Sequence, residues 1–241
     1  MRNYKEQGIV LHTLKYGESG LVVYLLTRGR GRATYMVGGV RSAQGRGNKG
    51  AYFQPMFPVE FEGIEVPGAE MHRMRDLRAA FALRSVPFDS RKSAIALFMA
   101  ETLYRLVREV EPNAPLYDFV EGSVRALDAM DLGVANFHLW FLVRLSAFMG
   151  FCPGNEYGEG CWFDIPEGLF VRSAPGHGMA LSPRNTALLD AMMRTGADAL
   201  GGVALSGERR SEFLTGMLSY LGYHLDAVHN IRSVQILRDV F

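Results

Sequence analysis

The chain has 241 residues, 48% of them apolar, and its 26 Lys and Arg against 25 Asp and Glu leave a net charge of +1. This excludes a disordered or uniformly basic protein, and the length fits one large domain or two small ones. The longest apolar, charge-free segment, Leu132 to Val143, is too short to span a bilayer, no signal-type apolar run follows the first residues, and two cysteines cannot build a disulfide framework, so the expectation is a cytoplasmic protein without membrane contact.

The first eighty or so residues read as short strands broken by glycine. Gly8 to Tyr16 and the β-favouring run Leu21 to Thr27 flank the turn Gly17-Glu18-Ser19-Gly20 and predict a hairpin. Arg28 to Gly31 turns the chain into a third strand, Arg32 to Val37, and a glycine-rich loop follows from Gly38 to Gly50. Met56 to Glu62 alternates: Phe57, Val59 and Phe61 share one face, while Glu60 and Glu62 lie on the other, solvated one. Met71 to Ala80 supplies a fifth strand. Five short strands protect their edges best by closing, so a small barrel is expected.

From Pro87 the apolar period becomes helical. Asp89 or Ser90 caps a helix with Ile95, Phe98, Met99, Thr102, Leu106 and Val110 on one side, ending before Pro112. Pro115 opens a second helix to about Asp131, and Ala135 to Met149 is a third, apolar on most of its circumference and so central to a bundle. Residues 150–182 read as irregular. Helices resume at Ser182-Pro183 to about Arg194, Glu208 to Leu225 and Ile231 to Phe241. The fold class is α+β: a barrel domain over residues 1–80, then a helical domain over 81–241 with an irregular insert at about 150–182.

Arg28 to Lys49 is the local anomaly, with six basic residues and no Asp or Glu within twenty-two positions. It is either a solvated loop or a surface for a polyanion, because like charges this dense repel unless countered. Arg28, Arg30, Arg32, Arg41, Arg46 and Lys49 suit phosphate contacts, glycines allow close backbone approach, and Tyr35 is expected to offer a stacking surface. No catalytic motif accompanies them. Gly45 to Gly50 matches G-x-G-x-x-G, but a strand-like segment with prolines follows where a dinucleotide site needs a helix. Cys152 and Cys161, with His177 beyond them, lack the close cysteine pairs of structural zinc, and no metal or cofactor is expected.

Several stretches taken together resemble the bacterial RecO family of DNA-repair proteins: G-I-V-L at Gly8 to Leu11, Y-G-E-S at Tyr16 to Ser19, L-L-T-R-G-R-G-R at Leu25 to Arg32 and the F-Q-P ending at Pro55. F-D-I-P-E-G-L-F at Phe163 to Phe170 and I-R-S-V-Q-I-L-R-D-V-F at Ile231 to Phe241 are similar to members from the Bacteroidetes branch. The resemblance implies an N-terminal OB-fold, a helical C-terminal domain, and a cytoplasmic, nucleoid-associated recombination mediator that binds single- and double-stranded DNA and anneals strands. Its implied partners are RecR, the acidic tail of single-stranded-DNA-binding protein and, indirectly, RecA. Several relatives carry a four-cysteine zinc module, of which Cys152 and Cys161 are what this chain retains. For the tail, Trp140, Phe141 and Phe148 with Arg144 on the third helix are the expected apolar and cationic contacts, Arg144 snorkelling from a core helix being the alternative. The rival functional reading is a protein-interaction adaptor whose barrel binds peptide.

Overall fold

The computed structural model describes residues 3–40, 49–65, 68–69, 71–108, 111–225 and 231–241. The chain divides into two compact units, Met1–Asp128 and Ala129–Phe241.

In the first unit, β1 (Asn3–Tyr16), β2 (Gly20–Thr27), β3 (Gly31–Val37), β4 (Pro58–Ile64) and β5 (Met71–Ala79) close into a barrel in the order β1-β2-β3-β5-β4. β1 is long enough to serve two partners: Gly8 lies opposite Thr27 of β2 and also Val59 of β4. A register shift between Val10 and His12 bends it. The parallel pairing of β3 with β5, Thr34 opposite Met71 and Met36 opposite Arg73, shuts the sheet. Alternation sends Val10, Val23, Leu25, Tyr35, Val37, Val59, Phe61 and Met74 into the barrel core. β4 begins two residues later than the alternation predicts, because Met56 takes a left-handed turn (φ 61°) and its N–H donates to the Val10 carbonyl at 2.8 Å. Glu60 and Glu62 do face outward, hydrogen-bonded to Arg78 and Arg75 of β5, and those partners hold both carboxyls below their ordinary range.

Helices α1 (Ser90–Leu106) and α2 (Ala114–Ala129) belong to the same unit. Asp89 is the N-cap of α1, its carboxylate accepting from the Arg91 and Lys92 N–H groups. The segment leading into α1 is tied to the end of α2: Asp128 accepts from the N–H groups of Arg84 (2.9 Å), Ser85 (2.8 Å) and Val86 (2.9 Å). Buried Lys92 reaches the same joint, donating to Ser85 Oγ at 2.7 Å and the Asp128 carbonyl at 3.0 Å.

The second unit holds α3 (Phe137–Phe148), α4 (Pro183–Arg194), α5 (Gly207–His224) and α6 (Ser233–Val240). As its all-round apolar pattern predicts, α3 is nearly wholly buried and packs on α4 and α5. The stretch 150–182 is more ordered than its sequence implies. It contains a three-stranded sheet of β6 (Trp162–Asp164), β7 (Leu169–Val171) and β8 (Ala180–Leu181), ordered β7-β6-β8. Strands of two or three residues are too short for periodicity to reveal.

Candidate nucleic-acid interface

The β2–β3 turn is a built structure. The Arg28 N–H donates to the Gln7 carbonyl at 3.0 Å, Thr27 Oγ1 donates to the Gly31 carbonyl at 2.9 Å, and the Arg30 N–H donates back to Thr27 Oγ1 at 3.2 Å. Gly31 closes the turn in the left-handed region (φ 59°). The Gly29 N–H donates to Glu6 Oε1 at 3.1 Å, and a Cβ at residue 29 would stand 2.9 Å from the other carboxylate oxygen. A side chain at residue 29 would therefore have to push aside the Glu6 carboxylate that supports the turn from beneath.

From this base the three arginines diverge. Arg28 Nη1 pairs with Asp118 of α2 at 2.9 Å, both side chains about half exposed. Arg30 lies with its guanidinium 3.7 Å from the Tyr4 ring centroid and 3.6 Å from a Glu65 carboxylate oxygen. Exposed pairs of this kind contribute roughly 0–1 kcal/mol, so a phosphate can displace them. Arg32 differs: its Nη1 donates to the Tyr104 carbonyl at 3.0 Å and the Val107 carbonyl at 3.1 Å, while its guanidinium carbon sits 4.5 Å from the Tyr104 ring centroid. It caps the C-terminus of α1 on the barrel.

Tyr35 requires a correction. It is 0% exposed, edge-on to Phe61 in the barrel core, and its hydroxyl lies 3.0 Å from the Tyr4 hydroxyl; burial first, then that hydrogen bond, pushes its phenol pKa up. Strand alternation places residue 35 inward with residues 33 and 37, so it offers no stacking face. Arg41 and Arg46 lie outside the described residues, and of Lys49 only the backbone, in a single helical turn with Phe53, is described. Sequence reasoning missed the outward arginines of β5: Arg73 and Arg75 alternate and could have been found beside the acidic face of β4, whereas Arg78 comes opposite Glu60 only through a register shift at Asp76 (φ 52°) that breaks the alternation.

In the second unit, Phe141 is 0% and Trp140 8% exposed, and the indole N–H donates to the Thr195 carbonyl at 2.9 Å. Arg144 is exposed, with Nη1 donating to the Met193 carbonyl at 3.0 Å. Trp140 and Arg144 thus satisfy the last carbonyls of α4, and of the expected apolar contacts only the half-buried Phe148 keeps part of its surface. A cleft of about 350 Å³ lies elsewhere in this unit, lined by Leu214, Leu237 and Phe241 with Arg210 and Arg238. Beside it, His138 is fully buried, and burial with nearby Arg210 pushes its pKa down to about 3. Cys152 is exposed and Cys161 half-buried, and His177 Nε2 is engaged with Asp164 at 3.1 Å. No group of three His, Cys, Asp or Glu side chains placed to hold a metal ion occurs among the described residues.

Comparison with known proteins adds the family. The model described as Recombination protein O N terminal matches residues 1–81, and that described as Recombination protein O C terminal matches residues 87–233. The chain is 37% identical to the DNA repair protein RecO of Phocaeicola vulgatus, 34% to that of Bacteroides fragilis and 30% to that of Flavobacterium psychrophilum, each alignment covering 98% of both chains. Among the described residues, no helix is long and apolar enough to cross a membrane. With both family models matched in order on a closed five-stranded barrel and a helical region, the chain belongs to the RecO family of DNA repair proteins.

Proposed function

We propose that this chain is a non-enzymatic recombination mediator of the nucleoid that binds single- and double-stranded DNA through the phosphate backbone, anneals complementary strands, and acts with RecR to load RecA on protein-coated single strands. The carrying observation is the β2–β3 turn, which presents Arg28 and Arg30 on a rigid base in surface pairs that a phosphate can replace. Membership of a DNA-repair family supplies the polyanion. Phosphate contacts carry no base code, so binding is sequence-tolerant.

The acidic tail of single-stranded-DNA-binding protein is the proposed partner of the helical region. The cleft of Leu214, Leu237 and Phe241 beside Arg210 and Arg238 offers an apolar pocket next to cations, and Arg144 with Phe148 is the second place. A labelled tail peptide separates the two: Arg238→Glu abolishes binding in the first case, Arg144→Glu in the second. Failure of the native protein to bind the peptide rejects the partner.

The test of the central reading is strand annealing of two complementary labelled oligonucleotides of mixed sequence, alongside binding of poly-dT. Native protein is expected to accelerate annealing and to bind both sequences alike. Binding that ignores salt, with no annealing, favours a peptide-binding adaptor instead.

A further inference from the structure

In OB barrels the outward face of the second and third strands, with its flanking loops, is the usual oligonucleotide surface. Here much of that face lies inside the unit. Val22 and Leu26 alternate with the core-facing Val23 and Leu25, yet they are 7% and 1% exposed; Ile9, which alternates with Val10 on β1, is 0% exposed. Tyr104 of α1 lies over this face, its ring 5.1 Å from Tyr24 and 4.5 Å from His12, and Arg32 is fastened to the same helix end. A strand of DNA reaching the barrel must find another place on it.

One place is open. Between the β2–β3 turn and β5 lies a cleft of about 450 Å³ lined by Arg30, Arg32, Thr34, His72 and Pro112, with no carboxylate among the described residues of its lining. That volume exceeds what a phosphate alone needs and falls in the range of small-ligand sites. The Arg30 guanidinium carbon lies over the Tyr4 ring, 3.7 Å from its centroid, and the Tyr4 hydroxyl lies 3.0 Å from that of buried Tyr35. A guanidinium backed by an aromatic ring is a planar cationic platform, and unstacked bases lie readily on arginine planes.

We propose that this cleft is a nucleotide subsite for single-stranded DNA. Arg30 stacks one base and attracts its flanking phosphate, and Tyr35 is a positioning residue that sets Arg30 through Tyr4. The inference rests on the DNA-binding reading above and names where on the barrel one nucleotide sits.

The experiment compares salt titrations of labelled poly-dT with those of an abasic strand of equal length, for native protein, Arg30→Ala, Arg30→Lys and Tyr35→Phe. Arg30→Ala is expected to weaken poly-dT binding about tenfold and to flatten the plot of log affinity against log salt by about 0.7. Arg30→Lys keeps the charge and the slope but loses the plane, so it weakens poly-dT several-fold and leaves the abasic strand unchanged. Tyr35→Phe keeps the ring in the core and follows Arg30→Lys to a smaller degree. An Arg30→Lys protein that matches the native one on both strands overturns the stacking platform, and an unaffected Arg30→Ala overturns the subsite. In both cases the native salt dependence leaves the DNA reading standing. Salt-independent binding by the native protein would instead sink that reading, and the subsite with it.

Discussion

Replacing Arg32 should cost stability rather than DNA affinity, although nothing in the sequence distinguishes it from Arg28 and Arg30. Its guanidinium makes two charge-assisted bonds, 3.0 and 3.1 Å, to the carbonyls of Tyr104 and Val107, and stacks at 4.5 Å on the Tyr104 ring. A bond to a charged donor contributes about 1.5–3 kcal/mol and an exposed cation–π contact about 0.5–1 kcal/mol. Both carbonyls share one nitrogen at a half-buried site, so Arg32→Ala is expected to cost about 2–4 kcal/mol. For a chain of this length that lowers Tm by roughly 4–16 °C. Arg32→Lys should recover little, because an ammonium cannot both stack on Tyr104 and bridge two carbonyls. Thermal and urea unfolding followed by circular dichroism measure the cost, and DNA titration in varied salt measures the rest. An Arg32→Ala protein as stable as the native one, with a flattened salt slope, would refute the assignment and return Arg32 to the phosphate contacts.

Three further outcomes follow from the geometry. Burial tends to raise the Asp128 pKa, but its bonds from the N–H groups of Val86, Arg84 and Ser85 outweigh this and hold it below the ordinary value. Its stabilisation is therefore full above about pH 4 and lost as pH falls through the lowered folded value; Asp128→Ala should cost about 2–4 kcal/mol at pH 7 and blunt acid unfolding, read as urea midpoints against pH. Buried His138, with its pKa pushed down to about 3, stays neutral in the folded protein. Unfolding then takes up a proton, and stability falls by up to about 1.4 kcal/mol per pH unit as pH drops from its unfolded value of about 6.5 toward the folded one; a ring that titrates near pH 6.5 by NMR would contradict this. Purified protein should hold far less than one zinc per chain and keep its Tm in chelator, whereas a stoichiometric zinc signal lost in Cys152→Ser would overturn the reading of the cysteines.

The barrel was legible where a strand buries one face, as in the alternation at Val59, Phe61, Tyr35 and Val37, while β2, buried on both faces, showed as a continuous β-favouring run. The helices α1 and α4 were legible from Asp89 and from Ser182-Pro183, although Ser182 makes no side-chain cap bond. The site was only half legible. Charge density located the turn, but whether an arginine meets solvent or a helix end depends on residues more than seventy positions away: Tyr104 and Val107 for Arg32, Asp118 for Arg28. The same limit explains Tyr35, where composition suggested a stacking ring and strand parity turned it inward. It also explains α3, whose Trp140 and Arg144 serve the carbonyls that end α4, a need set by a helix about fifty residues downstream. Arg41, Arg46 and the Lys49 side chain, outside the described residues, stay with the proposed phosphate contacts on their charge alone.

The most direct test of the central claim is the salt dependence of poly-dT binding by the Arg28→Ala/Arg30→Ala double variant. Each lost phosphate contact flattens the plot of log affinity against log salt by about 0.7 on a single strand. Two displaceable arginines predict a slope shallower by about 1.4, and adding Arg32→Ala should change it no further. A double variant with the native slope would contradict the claim that this turn holds DNA.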